Sequence, residues 1–220
     1  MIELSLAQKI IVWSLPLLFA ITLHEVAHGW LASFCGDQTA RRQGRLSLNP
    51  LKHIDLVGTL IVPLLCLTLT GFVFGWAKPV PVDPRNFRHP RRDMALVAVG
   101  GPLSNFLMAL IWAGFAKLGT YFLVPQSQWL GIPLLNMGLA GIEINLFLCV
   151  LNLLPFPPLD GSKLLYSLLP PRMVYRLRPI EPYGFIILMF LWVTGVLSYI
   201  LAPAFMLIRG VMALFGLGGF

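Results

Sequence analysis

Two histidines, His24 and His28, stand four residues apart with Glu25 between them, in the pattern His-Glu-x-x-His. On a helix this spacing puts both imidazoles on one face, a turn apart, where they can share a zinc ion. It also places Glu25 beside the ion as a general base for the water the ion activates. Catalytic zinc generally takes three protein ligands and keeps one position open. Beyond Glu25, four acidic residues lie near or within the apolar runs of the chain: Asp55, Asp93, Glu143 and Asp160. Asp160 is the strongest candidate for the third ligand. It follows the fourth apolar run, between the proline-rich stretch 152–159 and Gly161, in a constrained terminus that can aim a carboxylate back among the helices. Glu143, set mid-run among Asn136, Asn145 and Asn152, reads instead as an inter-helix hydrogen-bond partner. His53, beside Asp55, and His89, among arginines, are assigned to the membrane interface or solvent and not to metal.

The chain that must position these residues has 220 residues, 57% of them hydrophobic and only 11% charged. That mix excludes a soluble globule, a disordered chain and a nucleic-acid-binding module. At about 20 apolar residues per spanning helix, the length accommodates four to six membrane segments. The expected fold is therefore an all-α polytopic membrane protein. It would be a bundle of about four to six transmembrane or re-entrant helices forming one membrane-embedded domain over residues 1–220.

The first run, 10–34, carries the histidines near its end; with no basic n-region and no small-residue cleavage site, it is expected to be retained and not removed as a signal peptide. The second, 56–77, holds Gly58, Pro63, Gly71 and Gly75 and leads into Lys78-Pro79-Val80-Pro81-Val82-Asp83-Pro84. Each residue before a proline is pushed away from the α region, so a short β-hairpin or extended segment is expected near residues 75–92. The third run, 94–115, holds Gly100-Gly101-Pro102 and Asn105, and the fourth covers 134–156. Residues 162–178 read as a basic, partly amphipathic connector at the membrane interface. The last run, 183–220, is too long for one span, and a break is expected at Pro203. Trp76, Trp112, Trp129 and Trp192 suit an interfacial aromatic belt. Cys35, Cys66 and Cys149, odd in number and far apart, read as packing residues.

Sixteen Lys and Arg against nine Asp and Glu give a net charge of +7. Thirteen of the 16 basic residues lie in three stretches, 41–52, 78–92 and 163–178, while residues 116–133 hold only Lys117. The three stretches are expected to share the cytoplasmic side, with the candidate site towards it. Both flanks of the second run are then on one side, so residues 56–77 are expected to dip into the membrane and return. Irregular backbone at that depth is tolerable only where it faces protein or a water-filled cavity.

His24-Glu25-x-x-His28, Gly101-Pro102-x-x-Asn105 and Asn152-x-x-Pro155-x-Pro157-x-Leu159-Asp160-Gly161, taken together and in this order, resemble the site-2 protease family of intramembrane zinc metalloproteases. Gly44-Arg45-Leu46-Ser47-Leu48-Asn49-Pro50 and Gly75-Trp76-Ala77-Lys78-Pro79-Val80-Pro81-Val82 are similar to the compact bacterial and archaeal branch of that family. The resemblance covers roughly residues 10–165, the expected catalytic core, with C-terminal helices over about 183–220. It implies that His24, His28 and Asp160 bind one Zn2+, that Glu25 is the catalytic base, and that Asn152 helps hold the substrate or its oxyanion. Neither an inserted PDZ domain nor a cystathionine-β-synthase-type domain after the last helix is expected.

The expected reaction is hydrolysis of peptide bonds within or near transmembrane segments of membrane-protein substrates, in a multi-pass protein of the cytoplasmic membrane. The lipid bilayer is a partner and nucleic acid is not. A helical substrate must be unwound before attack, and an exposed strand edge could hold the opened segment. Lys78, Val80 and Val82 are the candidates, since Pro79 and Pro81 would remove donors from one edge and leave the other to pair. Two alternatives stay open on sequence alone. One is an H-E-x-x-H zinc peptidase of prenyl-protease type, which usually takes a glutamate as third ligand, and the other is a metal transporter, which needs no general base.

Overall fold

The computed structural model describes residues 6–62, 77–123 and 128–219. Three of its helices are long and apolar enough to cross a membrane, over Ile10–Phe34, Pro90–Tyr121 and Trp129–Leu153. They belong to α1 (Leu6–Phe34), α3 (Pro90–Leu118) and α4 (Gln128–Leu153); the short α2 (Thr39–Arg42) follows α1. The chain is an all-α multi-pass membrane protein with three span-length helices among the described residues, not the four to six expected.

α3 is built with its large residues outward. Leu103, Leu107 and Ile111, spaced by one helical turn, are exposed, whereas Ala98, Gly101, Pro102, Asn105, Ala109, Trp112, Ala113 and Ala116 are buried. Lipid is as apolar as leucine, so helices in a bilayer gain little by hiding large aliphatic side chains and associate instead through small residues that let backbones approach. Gly138 of α4 shows the closeness: a Cβ there would stand 2.5 Å from the Ala116 backbone nitrogen. Leu135, Ile142 and Leu146 of α4 complete the core with Trp112, which is buried and does not join the expected aromatic belt. α1 lies against both α3 and α4.

No β-strand or hairpin occurs among the described residues, which corrects the expectation for residues 75–92. Residues 77–83 have no regular secondary structure, Pro84–Asn86 form a 3-10 turn, and α3 begins at Pro90. The prolines did push this segment out of the helical region, but they also took away the donors a ladder needs. Three of the remaining N–H groups are spent elsewhere. Lys78 donates to His53 O at 2.9 Å, Val80 to Glu25 Oε2 at 2.7 Å, and Asp83 to Asp37 Oδ2 at 2.7 Å.

The contact between Lys78 and His53 joins the two flanks of the second apolar run. Groups in hydrogen-bond contact cannot lie on opposite faces of a hydrocarbon core about 30 Å thick, so the two flanks share one side. Residues 63–76, with Pro63, Cys66, Gly71, Gly75 and Trp76, lie outside the described residues. The basic stretches gather at this same end of the bundle, where Arg45 reaches the Lys78 and Pro79 carbonyls and Arg91 reaches Leu169 O.

α4 stops at Leu153, and residues 154–159 turn the chain, with a cis peptide at Pro157–Pro158, into α5 (Asp160–Leu168). After α6 (Pro171–Leu177), the last run breaks twice, at Gly195 and, as expected, beside Pro203. α7 (Gly184–Val193), α8 (Val196–Ile200) and α9 (Ala202–Leu214) are 10, 5 and 13 residues long. The first break is at Gly195, whose φ of 76° suits glycine, while Pro203 sits in the opening turn of α9, where a missing N–H costs nothing.

Asp37, just beyond α1, ties the extended segment down. Its carboxylate accepts from the Thr39 and Asp83 backbone N–H groups, Thr39 Oγ1 and Asn86 Nδ2. Burial pushes this carboxyl up, but the hydrogen bonds from Thr39, Asp83 and Asn86 outweigh it and hold the group below its ordinary value. Because the folded-state value is the lower one, the stabilisation is complete above the ordinary carboxylate pKa of about 3.9 and is lost as pH falls through the folded value. Asp37→Ala is expected to lower stability in detergent by roughly 3 kcal/mol, the scale of losing several charge-assisted hydrogen bonds at a buried site. Asp37→Asn should flatten the acid limb of the thermal-stability profile, and an unchanged limb would refute the assignment.

Candidate metal centre

His24 and His28 lie ten and six residues before the end of α1, so the pair sits about 9–15 Å along the axis from the polar end of the helix. Both are buried, as is Asp160, the first residue of α5. The i, i+4 spacing stacks the rings edge to face with centroids 4.6 Å apart. His24 Nε2 and His28 Nε2 are 3.1 Å apart, and Asp160 Oδ2 stands 3.0 Å and 2.9 Å from them. These three residues form a cluster that could hold a metal ion, their ligand atoms all within 4.8 Å of one another.

The partners of the other ring nitrogens say what the cluster needs. His28 Nδ1 is 2.7 Å from Val97 O, a carbonyl that can only accept, so Nδ1 carries the proton. His24 Nδ1 is 2.6 Å from Asn105 Oδ1. The Asn105 amide is fixed in that sense because its Nδ2 donates to Ala20 O and to Asn145 Oδ1. In its neutral form each imidazole then turns an unprotonated Nε2 toward the same carboxylate oxygen. Three electron pairs facing one another at about 3 Å repel unless a cation lies between them. Tetrahedral zinc, with bonds of about 2.0–2.1 Å, sets its ligands about 3.3 Å apart, so a small relaxation fits this donor set to it. Lys163 Nζ binds Asp160 Oδ1 at 2.9 Å and leaves Oδ2 to face the histidines.

Glu25, next to His24, has its Oε2 on the Val80 N–H. Asn152 is half-buried on the last turn of α4, its Nδ2 donating to Leu148 O of the same helix at 3.0 Å. Lys78 is exposed, Val80 buried and Val82 half-buried. The other acids serve elsewhere. Asp55 accepts from the Val57 and Gly58 N–H groups, and Asp93 from the His89 N–H, both at helix starts. Glu143 is exposed on α4 and makes no hydrogen bond among the described residues, so the expected inter-helix bond is not formed there. His53, expected at the interface, is buried with Nε2 on Ser47 O, whereas His89 is exposed as expected.

Sequence reasoning missed the residues that aim the ligands. Asn105 and Gly101 were visible only as members of a motif, without a task. A Cβ on Gly101 would lie 2.4 Å from His28 Nε2 and 2.5 Å from His24 Cε1, so only glycine lets α3 pass the rings. The polar asparagine in an apolar run was the available signal; its partner 81 residues away was not.

The chain is similar to "Putative zinc metalloprotease YwhC" of Bacillus subtilis, 40% identical over 197 residues that span 86% of this chain and 83% of that protein. It is also similar to "Putative zinc metalloprotease Rip2" of Mycolicibacterium smegmatis, 31% identical across 82% of this chain and 66% of the relative. The Rip2 protein of Mycobacterium tuberculosis H37Rv is 28% identical over the same shares. No protein-family model and no solved structure matches.

Purified protein is expected to carry one zinc per chain by elemental analysis, removable by a chelator and restored by added zinc. His24→Ala, His28→Ala and Asp160→Ala should each lower the retained metal several-fold, and Gly101→Ala should weaken it by crowding the rings. Full zinc content in all three ligand variants would sink the assignment.

Proposed function

The chain belongs to the zinc-metalloprotease family that YwhC represents, and from that premise we propose that it is an intramembrane endopeptidase of the site-2 protease type. It would hydrolyse peptide bonds within or near transmembrane segments of other membrane proteins, as in regulated intramembrane proteolysis. The observation that carries this reading is the convergence of His24, His28 and Asp160, beside Glu25, within a bundle of membrane-length helices.

His24 Nε2, His28 Nε2 and Asp160 Oδ2 would hold a single Zn2+. When bound, zinc supplies Lewis-acid chemistry, making a water nucleophilic near neutral pH and polarising the scissile carbonyl. Glu25 accepts the proton of that water and returns one to the leaving amine. Asn152 has two amide N–H groups, of which one is used on Leu148 O; the second is the donor for the developing oxyanion. Substrate contact at the extended segment falls to the exposed Lys78 side chain and to Val82, since the main-chain donors of Lys78 and Val80 are engaged.

The whole chain, residues 1–220, acts as one membrane-embedded domain with its catalytic core over about 10–165 and C-terminal helices over about 183–220. Thirteen basic residues gathered in three stretches favour a site opening toward the cytoplasm. Against a prenyl-protease arrangement, Glu143 does not join the metal cluster among the described residues, and Asp160 does.

Glu25→Gln is expected to keep its zinc and to cleave synthetic transmembrane peptides about 10²–10⁴-fold more slowly than wild type, the usual worth of a general base. Asn152→Ala should lose about 10²–10³-fold in kcat, the cost of one oxyanion donor. Equal cleavage by wild type and Glu25→Gln would refute the mechanism, and zinc transport by both would favour a carrier.

A further inference from the structure

Residues 44–50 have no part in the chemistry above and residues 77–82 only a substrate contact, yet the fold joins the two segments around Glu25. Val80 lies between Pro79 and Pro81, so its N–H is the one main-chain donor in that tripeptide, and it goes to Glu25 Oε2 at 2.7 Å. The Val80 side chain is buried against Gly29 of α1 and Leu46. A Cβ on Gly29 would come within 2.9 Å of Val80 Cγ1 and 2.5 Å of Leu46 Cδ2.

Arg45 holds the two residues before Val80. Its guanidinium donates to Lys78 O at 2.7 Å and Pro79 O at 3.2 Å, and also to Lys52 O. A planar fork with five donors spends three bonds on main-chain carbonyls from two segments. Such a pattern fixes a backbone. The far end is pinned by the Asp83 N–H on Asp37, and Arg45 itself is anchored by its own N–H on Ala40 O. The Lys78 and Val80 N–H groups and the Lys78 and Pro79 carbonyls are thus taken, which leaves little for an added strand and much for holding one amide in place.

A glutamate side chain has three rotatable bonds, and a base that wanders among rotamers loses the advantage of orientation. Positioned reacting groups can supply a large share of a rate enhancement, and a misplacement of about 1 Å can cost about 10²-fold. With Oε2 fixed by the Val80 N–H, Oε1 is the oxygen left to take a proton.

We infer that Arg45 is a positioning residue for Glu25, acting through the main chain at Lys78, Pro79 and Val80, so that the Pro-Val-Pro segment is a clamp on the base. The inference rests on the reading of Glu25 as the general base.

Amide exchange of the zinc-free protein tests the clamp without catalysis. Prolines leave only Lys78, Val80 and Val82 with exchangeable amides between residues 78 and 82, so the Val80 signal is easily isolated. Its exchange is expected to quicken at least tenfold in Glu25→Ala and in Arg45→Gln, and unchanged exchange in both would overturn the clamp. Kinetics on a synthetic transmembrane peptide test its purpose. Arg45→Gln and Val80→Pro, which deletes the N–H but tolerates the extended backbone, should lower kcat about 10²-fold with KM and zinc content held. Val80→Ala, which keeps the N–H, should lose less than Val80→Pro. Combined with Glu25→Gln, Arg45→Gln should add nothing further. A loss confined to KM, or a full additional loss on top of Glu25→Gln, would overturn the inference. If Glu25→Gln alone were harmless the proposed reaction would fail, whereas an impaired Glu25→Gln with a normal Arg45→Gln removes only the clamp's role.

Discussion

Three electron pairs, on His24 Nε2, His28 Nε2 and Asp160 Oδ2, converge within about 3 Å in a place shielded from water, and this is the constraint the rest of the molecule answers. Left alone the unprotonated forms would push apart, and a cation between them would turn the repulsion into attraction. Every neighbour contributes to keeping them aimed. The Val97 carbonyl and Asn105 fix the protons on the far ring nitrogens, Gly101 yields the space beside the rings, and Lys163 occupies the second oxygen of Asp160. These outer partners set which atom each ligand offers, and that is often decisive for metal affinity.

Asn105 also shows how a polar network survives among apolar helices. It links His24 to Ala20 O and to Asn145, and Asn145 in turn donates to Gly141 O. Both asparagines are fully buried. An unpaired amide at that depth would cost several kcal/mol, and here each group that faces another helix has a partner. The network therefore fixes the register of α1, α3 and α4 together, which is the same register that brings the histidine face of α1 against Gly101.

Much of this was legible in the sequence because it is local. The helical repeat alone puts His24 and His28 on one face, and the proline-rich turn before Asp160 announces a carboxylate held at a helix start. What the sequence left hidden is tertiary. Nothing in the order of residues says that the Val97 carbonyl will meet His28 or that Asn105 will meet His24. The proline pattern at residues 79–84 correctly excluded a helix and wrongly suggested a hairpin, because extended backbone says nothing about which groups will accept its few N–H donors. Asp37 and Glu25 took them. The last apolar run was half legible: it breaks beside Pro203, which opens α9, but it also breaks at Gly195, whose left-handed backbone no composition count reveals.

Consider finally that the ligands come from residues 24, 28 and 160. The histidines and their neighbouring glutamate are made well before the carboxylate, which belongs to α5 and follows α4. During synthesis the first helix enters the bilayer carrying a complete His-Glu-x-x-His face and an incomplete site. The third member of the cluster thus arrives only after the three span-length helices α1, α3 and α4 have been made. A product truncated before Asp160 would carry two of the three clustered side chains and could not complete the cluster.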